Sequence, residues 1–362
     1  MISLSCILPF FADPQITGMR MLRLLLFPFS MIYAIVIRIR HALYDAGWLK
    51  SARSPVPAIV VGNLSTGGTG KTPFSILLLH LLLRNGVHSA FLSRGYRRQT
   101  SGYFSANQSS DSEMIGDEPA LIHRKFPNLP LAVCEDRIAG IHQMLQGHLN
   151  VEAIVLDDAF QHRRLRAHFN VLLTTYNDPY YRDWPLPAGN LRDLRREKRR
   201  AQAIVVTKCP PDLTSAERER ITREINPSEA QRVFFAKLVY GTPMTPQGRQ
   251  TPLSPETAVA AFCGIANPEP FRRYLDQSFK LKKIKIFPDH HPFSDNDINY
   301  LAEDLVTFAG PAQVLLTTEK DAERLAGKQL PKGMNILLVP VEMKLMDDEA
   351  EFEQMVLSAV RK

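Results

Sequence analysis

From Val56 onward, short apolar and β-branched runs alternate with longer stretches in which apolar positions fall three and four apart. Parallel strands joined by helices produce that alternation. "VPAIVVG", "SAFLSRG", "LPLAVCE", "VEAIVLDD", "FNVLLTTY" and "AQAIVVTK" predict six strands, several continuously apolar as strands buried on both faces are. Near Gly241 the composition turns to "GTPMTPQGRQTPLSP", rich in Pro, Thr and Gly, which predicts a linker over residues 241–255. "TAVAAFCGI", "KLKKIKIF", "AQVLLTTEKD" and "MNILLVPV" then predict a second, smaller α/β series. The expected organisation is an N-terminal extension and helix over 1–50, a larger α/β domain over 51–240, the linker, and a C-terminal α/β domain over 256–362. No repeat of fixed period interrupts it.

The N-terminal pattern is different. "LLLFPFSMIYAIVI", Leu24 to Ile37, carries no charge and is flanked by Arg20, Arg23, Arg38 and Arg40. At about 1.5 Å per residue this run covers roughly 20 Å against a hydrocarbon core of about 30 Å, so it is short for a span. Leu25, Phe29, Ile32, Val36, Ile39 and Leu43 recur at helical spacing, with Arg38, His41 and Asp45 elsewhere on the wheel. Two readings fit: an interfacial helix with cationic flanks, or a helix docked on the protein's own core. "MISLSCILPFFADP" lacks the basic start and small-residue cleavage site of a signal peptide. With Met19 and Met21 just before the basic-apolar pattern, the first eighteen residues read as an upstream extension.

Composition narrows the field only partly. Forty-four Lys and Arg against 37 Asp and Glu give a formal charge of +7 and favour anionic partners. Cys6, Cys134, Cys209 and Cys263 are far apart and form no CxxC spacing, so neither a disulfide framework nor a zinc site is indicated, and a reducing cytosol fits. Aromatic residues are not interleaved with the basic cluster, which argues against a nucleic-acid partner.

The densest chemical signal is "VVGNLSTGGTGKTPF", Val60 to Phe74, an apolar strand, a glycine loop and then a helical run. That is the context a phosphate-binding loop requires. Ser65, Thr66, Gly67, Gly68, Thr69, Gly70, Lys71 and Thr72 form the expected nucleotide cradle. Its glycines let backbone N–H groups turn to a polyphosphate, the helix start adds its positive dipole end, and Lys71 supplies a point charge. Thr72 is placed to ligate Mg²⁺. The usual pattern has glycine where this chain has Ser65. Such a loop needs a carboxylate across from it to organise the metal, and "AIVLDDAFQH" places Asp157 and Asp158 at the end of a strand. The fold class expected is a P-loop NTPase-like parallel sheet domain with a second, smaller α/β domain and an N-terminal membrane-facing helix.

A phosphoryl acceptor must give up a proton. "MIGDEPALI" places Asp117 at a loop-to-helix junction, and "FPDHHPFSD" places His290 after a strand of the second series. If the two domains face each other across a cleft, Asp117 can take the hydroxyl proton while His290 orients it. A helix cap and a surface histidine are the plain alternatives.

In order along the chain, "GNLSTGGTGKTP", "SRGY", "GDEPALI", "LDDAFQHRRL", "PLPAGNLRD", "GIANP", "FPDHHPFS" and "TTEKDAERL" resemble the tetraacyldisaccharide 4'-kinase family, the lipid A 4'-kinases of Gram-negative bacteria. The resemblance covers nearly the whole chain from Met19. It implies transfer of the γ-phosphate of ATP, with Mg²⁺, to the 4'-hydroxyl of an acylated disaccharide 1-phosphate. It also implies a monotopic enzyme at the cytoplasmic face of the bacterial inner membrane. By the family's pattern Asp117 is the catalytic base assisted by His290, and Asp157, Asp158 and His162 lie near metal and phosphate. Arg137 and Asp193 match positions associated with the active site. Two positions depart: Ala159 stands where glycine is usual, and Asp193 where glutamate is frequent.

The cluster "RDLRREKRR", Arg192 to Arg200, can meet a substrate phosphate or anionic headgroups, or form a solvated helix face. A different functional class remains open beside the kinase, a P-loop nucleotide-dependent switch or metallochaperone. "VVTKCP" and "TTEKD" only faintly match a guanine-reading motif, and such a switch would ask no acceptor chemistry of Asp117 and His290.

Overall fold

The computed structural model describes residues 14–309, 314–326, 328–331 and 334–361. Of the expected upstream extension over 1–18, residues 1–13 lie outside this set. Helix α1 (Pro14–Asp45) opens the description and segregates its residues in an inverted sense. Leu24, Leu25, Phe29, Ile32, Ile35, Val36 and Ile39 are exposed, whereas Ser30 and His41 on the opposite side are buried. The helix therefore does not dock through its apolar stripe.

Strands β1 (Ala52–Arg53) and β7 (Leu165–Arg166) form a small parallel pair. The large sheet starts with β2 (Ala58–Asn63), followed by α2 (Lys71–Arg84), β3 (Ser89–Ser93), β4 (Phe104–Ser105), α3 (Ser112–Ile115) and α4 (Asp117–Lys125). It continues with β5 (Leu131–Val133), α5 (Arg137–Gly147), β6 (Ala153–Asp157), β8 (Phe169–Thr175), β9 (Ala203–Thr207), α6 (Ser215–Ile225) and β10 (Arg232–Tyr240). Strand order is β15-β10-β9-β8-β2-β6-β3-β5-β4, parallel except at the two edges, with β15 (Val341–Leu345) closing one of them. All six strands expected of the first series lie in this sheet. Alternation along β2 explains why its run is continuously apolar. Ile59 and Val61 enter the core on one face with Phe74 and Leu78 of α2, while Ala58 and Val60 enter the core on the other with Ile141 and Met144 of α5.

The second unit carries a parallel sheet in the order β12-β11-β13-β14, built from β11 (Ala258–Cys263), β12 (Lys280–Ile286), β13 (Val314–Thr318) and β14 (Ile336–Val339). Helices α7 (Glu269–Ser278), α8 (Asp295–Ala309) and α9 (Glu319–Leu325) connect them. The chain then returns to the first unit. β15 pairs antiparallel with β10, and helix α10 (Glu349–Val360) sets Phe352 edge-on against Phe74 and Phe234, at 5.6 and 5.2 Å between ring centroids. A boundary at 256–362 does not account for these last two elements, and we propose to end the second unit at Pro340.

Phe352 is fully buried in the core of the large sheet. Phe352→Ala is expected to destabilise the first unit by about 3–5 kcal/mol, read as a lowered urea midpoint by circular dichroism.

Candidate functional site

Strands β2, β6, β3 and β5 are neighbours, and the loops leaving their C-terminal ends converge, as ligand sites on open parallel sheets do. After β2 the chain runs through Leu64–Gly70 into α2. Gly67 (φ +99°) and Gly70 (φ +86°) adopt the left-handed region, and Gly70 caps α2 without any side-chain hydrogen bond. The amides of that first turn are thus left to an anion. The front of the loop is committed elsewhere. Thr66 N–H and Oγ1 both donate to Asn190 O, at 2.7 and 3.2 Å, and Ser65 bridges to Leu191. Thr69 N–H donates to Gly67 O, and the buried Thr207 hydroxyl donates to Thr69 O at 2.8 Å. Ser65, Thr66 and Thr69 therefore shape the loop, and Gly67, Gly68, Gly70, Lys71 and Thr72 are the part free to hold phosphate. Lys208, which the sequence reading did not single out, donates to Gly68 O at 2.6 Å.

At the end of β6 the two aspartates separate in role. Asp157 is buried and its Oδ1 has no hydrogen-bond partner. Burial pushes its carboxyl up to about 7, against the pull of Lys71, and the neighbouring charges of Asp158 and Glu118 add to the rise. Asp158, at φ +48°, turns its carboxylate to Lys71 (3.8 Å) and to the Arg192 guanidinium, which reaches both of its oxygens. Burial would raise Asp158 too, but Lys71 and Arg192 outweigh it and hold it below the ordinary carboxylate range.

An orphaned buried carboxylate oxygen beside a phosphate cradle is the chemistry a hard divalent cation needs. No group of three or more His, Cys, Asp or Glu able to hold a metal occurs among the described residues. Mg²⁺ takes one or two carboxylates and completes its shell with phosphates and water. Asp157 fits that description, and Thr72, in the first turn of α2, offers a hydroxyl oxygen of the same hard kind. Asp158 is neutralised by Lys71 and Arg192.

Arg137, at the first turn of α5, is buried with its guanidinium on Glu135 O (2.8 Å), and at longer range on Cys134 O and Asp158 O. It braces the loop after β5 against the loop after β6. His162 lies 4.0 Å from Asp136, and burial together with Arg137 pushes it down to about 4, so it is neutral at pH 7. Asp193 directly follows Arg192, the residue that clamps Asp158. It is buried, accepts from His41 Nε2 at 2.6 Å and from Arg200 at 3.2 Å, and ties α1 to the sheet domain.

The basic cluster makes internal contacts as well. Arg195 donates to Asp183 O and lies over Trp184, Lys198 caps the end of α6 at Ile225 O and Asn226 O, and Arg199 and Arg200 pair with Asp45, Asp193 and Glu197. Arg195, Arg196 and Arg199 keep an exposed surface beside these contacts.

Asp117 and His290 are brought together. Gly116 (φ +91°) precedes α4, and a Cβ there would fall 2.9 Å from Tyr96 O, so only glycine lets the turn deliver Asp117. His290 Nδ1 lies 2.7 Å from Asp117 Oδ2, and Arg324 Nε donates to the same oxygen at 2.7 Å. Among the described contacts both fall on Oδ2, leaving Oδ1 for an incoming group. Burial raises Asp117, but His290 and Arg324 outweigh it and keep the carboxyl below its ordinary range. Gly264 organises the partners: its carbonyl accepts from His290 N and from Arg324, and its N–H donates to Asp321, which in turn accepts from Arg324. Lys320 pairs with Glu118, and Arg124 and Lys125 pair with Glu323 and Glu319 at 2.8 and 2.6 Å, closing α4 onto α9. Arg324 sits in "TTEKDAERL", a run used for the resemblance without any of its residues being assigned a role.

The family model described as tetraacyldisaccharide-1-P 4'-kinase matches residues 22–361. A tetraacyldisaccharide 4'-kinase of Flavobacterium johnsoniae is 38% identical over 347 residues, covering 95% of this chain and 98% of that protein. The one from Bacteroides thetaiotaomicron is 39% identical over 357 residues, 93% of each. A solved structure of LpxK from Aquifex aeolicus, described as an "apo" form in complex with ATP, superposes with a TM-score of 0.75 at 32% identity, covering 94% of this chain and 99% of that one.

With no metal bound, the raised value of Asp157 has a testable sign. Between its ordinary value and about 7 the folded protein holds a proton the unfolded chain lacks, so metal-free stability falls as pH rises through that window. Asp157→Asn is expected to flatten this dependence and to raise the melting temperature of metal-free protein at pH 8 above that of the parent. Calorimetry should show Mg²⁺ releasing protons near pH 7 from the parent alone.

Proposed function

This chain belongs to the tetraacyldisaccharide-1-P 4'-kinase family, and we infer that it transfers the γ-phosphate of ATP to the 4'-hydroxyl of a tetraacyldisaccharide 1-phosphate in lipid A assembly. The observation that supports the residue assignment is the meeting of Asp117, His290 and Arg324, with the next residue, Glu118, near enough for its charge to act on Asp157. ATP phosphates rest on the first-turn amides of α2 and on Lys71. Asp157 and Thr72 would hold Mg²⁺, which when bound neutralises charge developing on the transferred group. The 4'-hydroxyl approaches Oδ1 of Asp117, which takes its proton as the oxygen attacks. An ionised carboxylate only accepts hydrogen bonds, so His290 presents Nδ1–H to Oδ2 and Arg324 fixes the same oxygen. Both contacts keep the base charged and aimed before the acceptor arrives.

The acceptor is a lipid, and the exposed stripe of α1 supplies the surface to meet it. Residues 23–45 are long and apolar enough to cross a membrane by length and composition. Yet Ser30, Tyr33, Arg40, His41 and Asp45 on the same helix are hydrogen-bonded within it or to the sheet domain. A helix so held lies along the membrane interface with Leu25, Phe29, Ile32 and Val36 inserted, at the cytoplasmic face where ATP is available. A nucleotide switch or metallochaperone would leave the Asp117–His290–Arg324 cluster without a task.

Transfer of label from γ-labelled ATP to the acylated disaccharide 1-phosphate tests the assignment. Asp117→Asn is expected to lower kcat by about 10²–10⁴-fold while nucleotide binding persists. Lys71→Ala is expected to weaken nucleotide binding itself. Full transfer by Asp117→Asn would remove the base assignment, and steady ATP turnover indifferent to lipid would favour the switch.

A further inference from the structure

The polar face of α1 ends on the segment that holds the phosphate-side carboxylate. Arg192 is gripped at each of its groups. Its N–H donates to Leu64 O of the phosphate loop at 2.9 Å, its guanidinium clamps Asp158 and Asn63 Oδ1, and its carbonyl accepts from the Tyr33 hydroxyl at 3.0 Å. The next residue, Asp193, accepts from His41 Nε2–H. Arg163 donates to His41 Nδ1 at 2.8 Å, which assigns the tautomer. One turn earlier, Ala188 N–H donates to Ser30 Oγ at 2.8 Å. Arg40 donates to Gln161 O, and Gln161 Nε2 donates to Asn63 O at 2.7 Å. Ser30, Tyr33, Arg40 and His41 thus fall on one helical face, directed at the two segments that flank Asp158, while the opposite face is the exposed apolar stripe.

We propose that Tyr33 and His41 are positioning residues for phosphoryl transfer, acting from the lipid-facing helix through the Arg192 backbone to fix the Arg192–Asp158 clamp beside Lys71. The proposal rests on the kinase reading of that site. A hydroxyl on a peptide carbonyl sets the height of the Arg192 backbone, and the guanidinium, held at Asn63 and Asp158, has little slack to absorb a shift. Displacing Arg192 would move the Asp158 carboxylate toward Lys71 or away from it, at the place where nucleotide charge is balanced. The helix that meets lipid is then part of the phosphate site's framework.

Tyr33→Phe removes one hydroxyl and keeps the ring. In detergent-dispersed lipid substrate it is expected to lower kcat about 10-fold, the equivalent of roughly 1.4 kcal/mol, with KM for the lipid and flotation on anionic vesicles unchanged. Arg192→Ala is expected to lower kcat further, and Tyr33→Phe in that background should add less than about twofold, because its effect runs through Arg192. His41→Gln, if folded by its melting curve, should show the same split. An unchanged kcat for Tyr33→Phe, a loss confined to lipid KM or vesicle binding, or full additivity with Arg192→Ala would overturn the proposal. Absence of transfer by the parent protein would instead defeat the kinase reading on which it stands.

Discussion

Two carboxylates at the end of one strand, one buried and one partly exposed, set the terms for the rest of this molecule. Asp157 and Asp158 follow the buried strand β6, and an ionised group there is tolerated only if cations reach it. Lys71 comes from the start of α2 and Arg192 from the segment after β8, both on the Asp158 carboxylate, while Arg137 from the start of α5 reaches the Asp158 carbonyl, so three parts of the chain meet at one charge problem. Asp158 is satisfied by this and Asp157 is left with an unpartnered oxygen. The asymmetry separates a carboxylate paired with cations from one whose oxygen has no partner.

The second unit answers a different demand. A base that accepts an alcohol proton must stay charged in a partly buried setting, and no residue of the large sheet supplies the necessary partners. His290 and Arg324 arrive from beyond the C-terminal ends of β12 and β13, held in register by Gly264 at the end of β11. Ion pairs between α4 and α9 carry the rest of the contact, with Arg124 and Lys125 meeting Glu323 and Glu319. Such an interface is polar, as contacts between units of one chain commonly are.

The N-terminal helix turns the usual rule of amphipathic packing inside out. Its apolar side faces away from the protein, and its few polar side chains, buried with Asp193, Glu197 and Arg163, attach it. Removing His41 would leave Asp193 without its closest partner in a buried site. That penalty makes the attachment specific where an apolar contact would tolerate sliding.

Alternating apolar runs were enough to read the strands, the phosphate loop and the two-series organisation, because burial on both faces and the need for glycine at positive φ leave local marks. Order along the chain also carried the family, and with it Asp117, His290 and the aspartate pair. The contributions of Arg192, Arg324 and Lys208, the ion pairs within the basic cluster, and the pairing of Asp193 with His41 had no local mark. Whether an arginine meets lipid, solvent or a buried carboxylate depends on which strand ends become neighbours. The return of β15 and α10 to the first sheet was hidden for the same reason, since a strand's partner is chosen by hydrogen bonds to distant residues. Sequence alone determined the chemistry available and the elements that carry it; tertiary structure decided which charges share a low-dielectric site, and hence which carboxylate is paired and which is left without a partner.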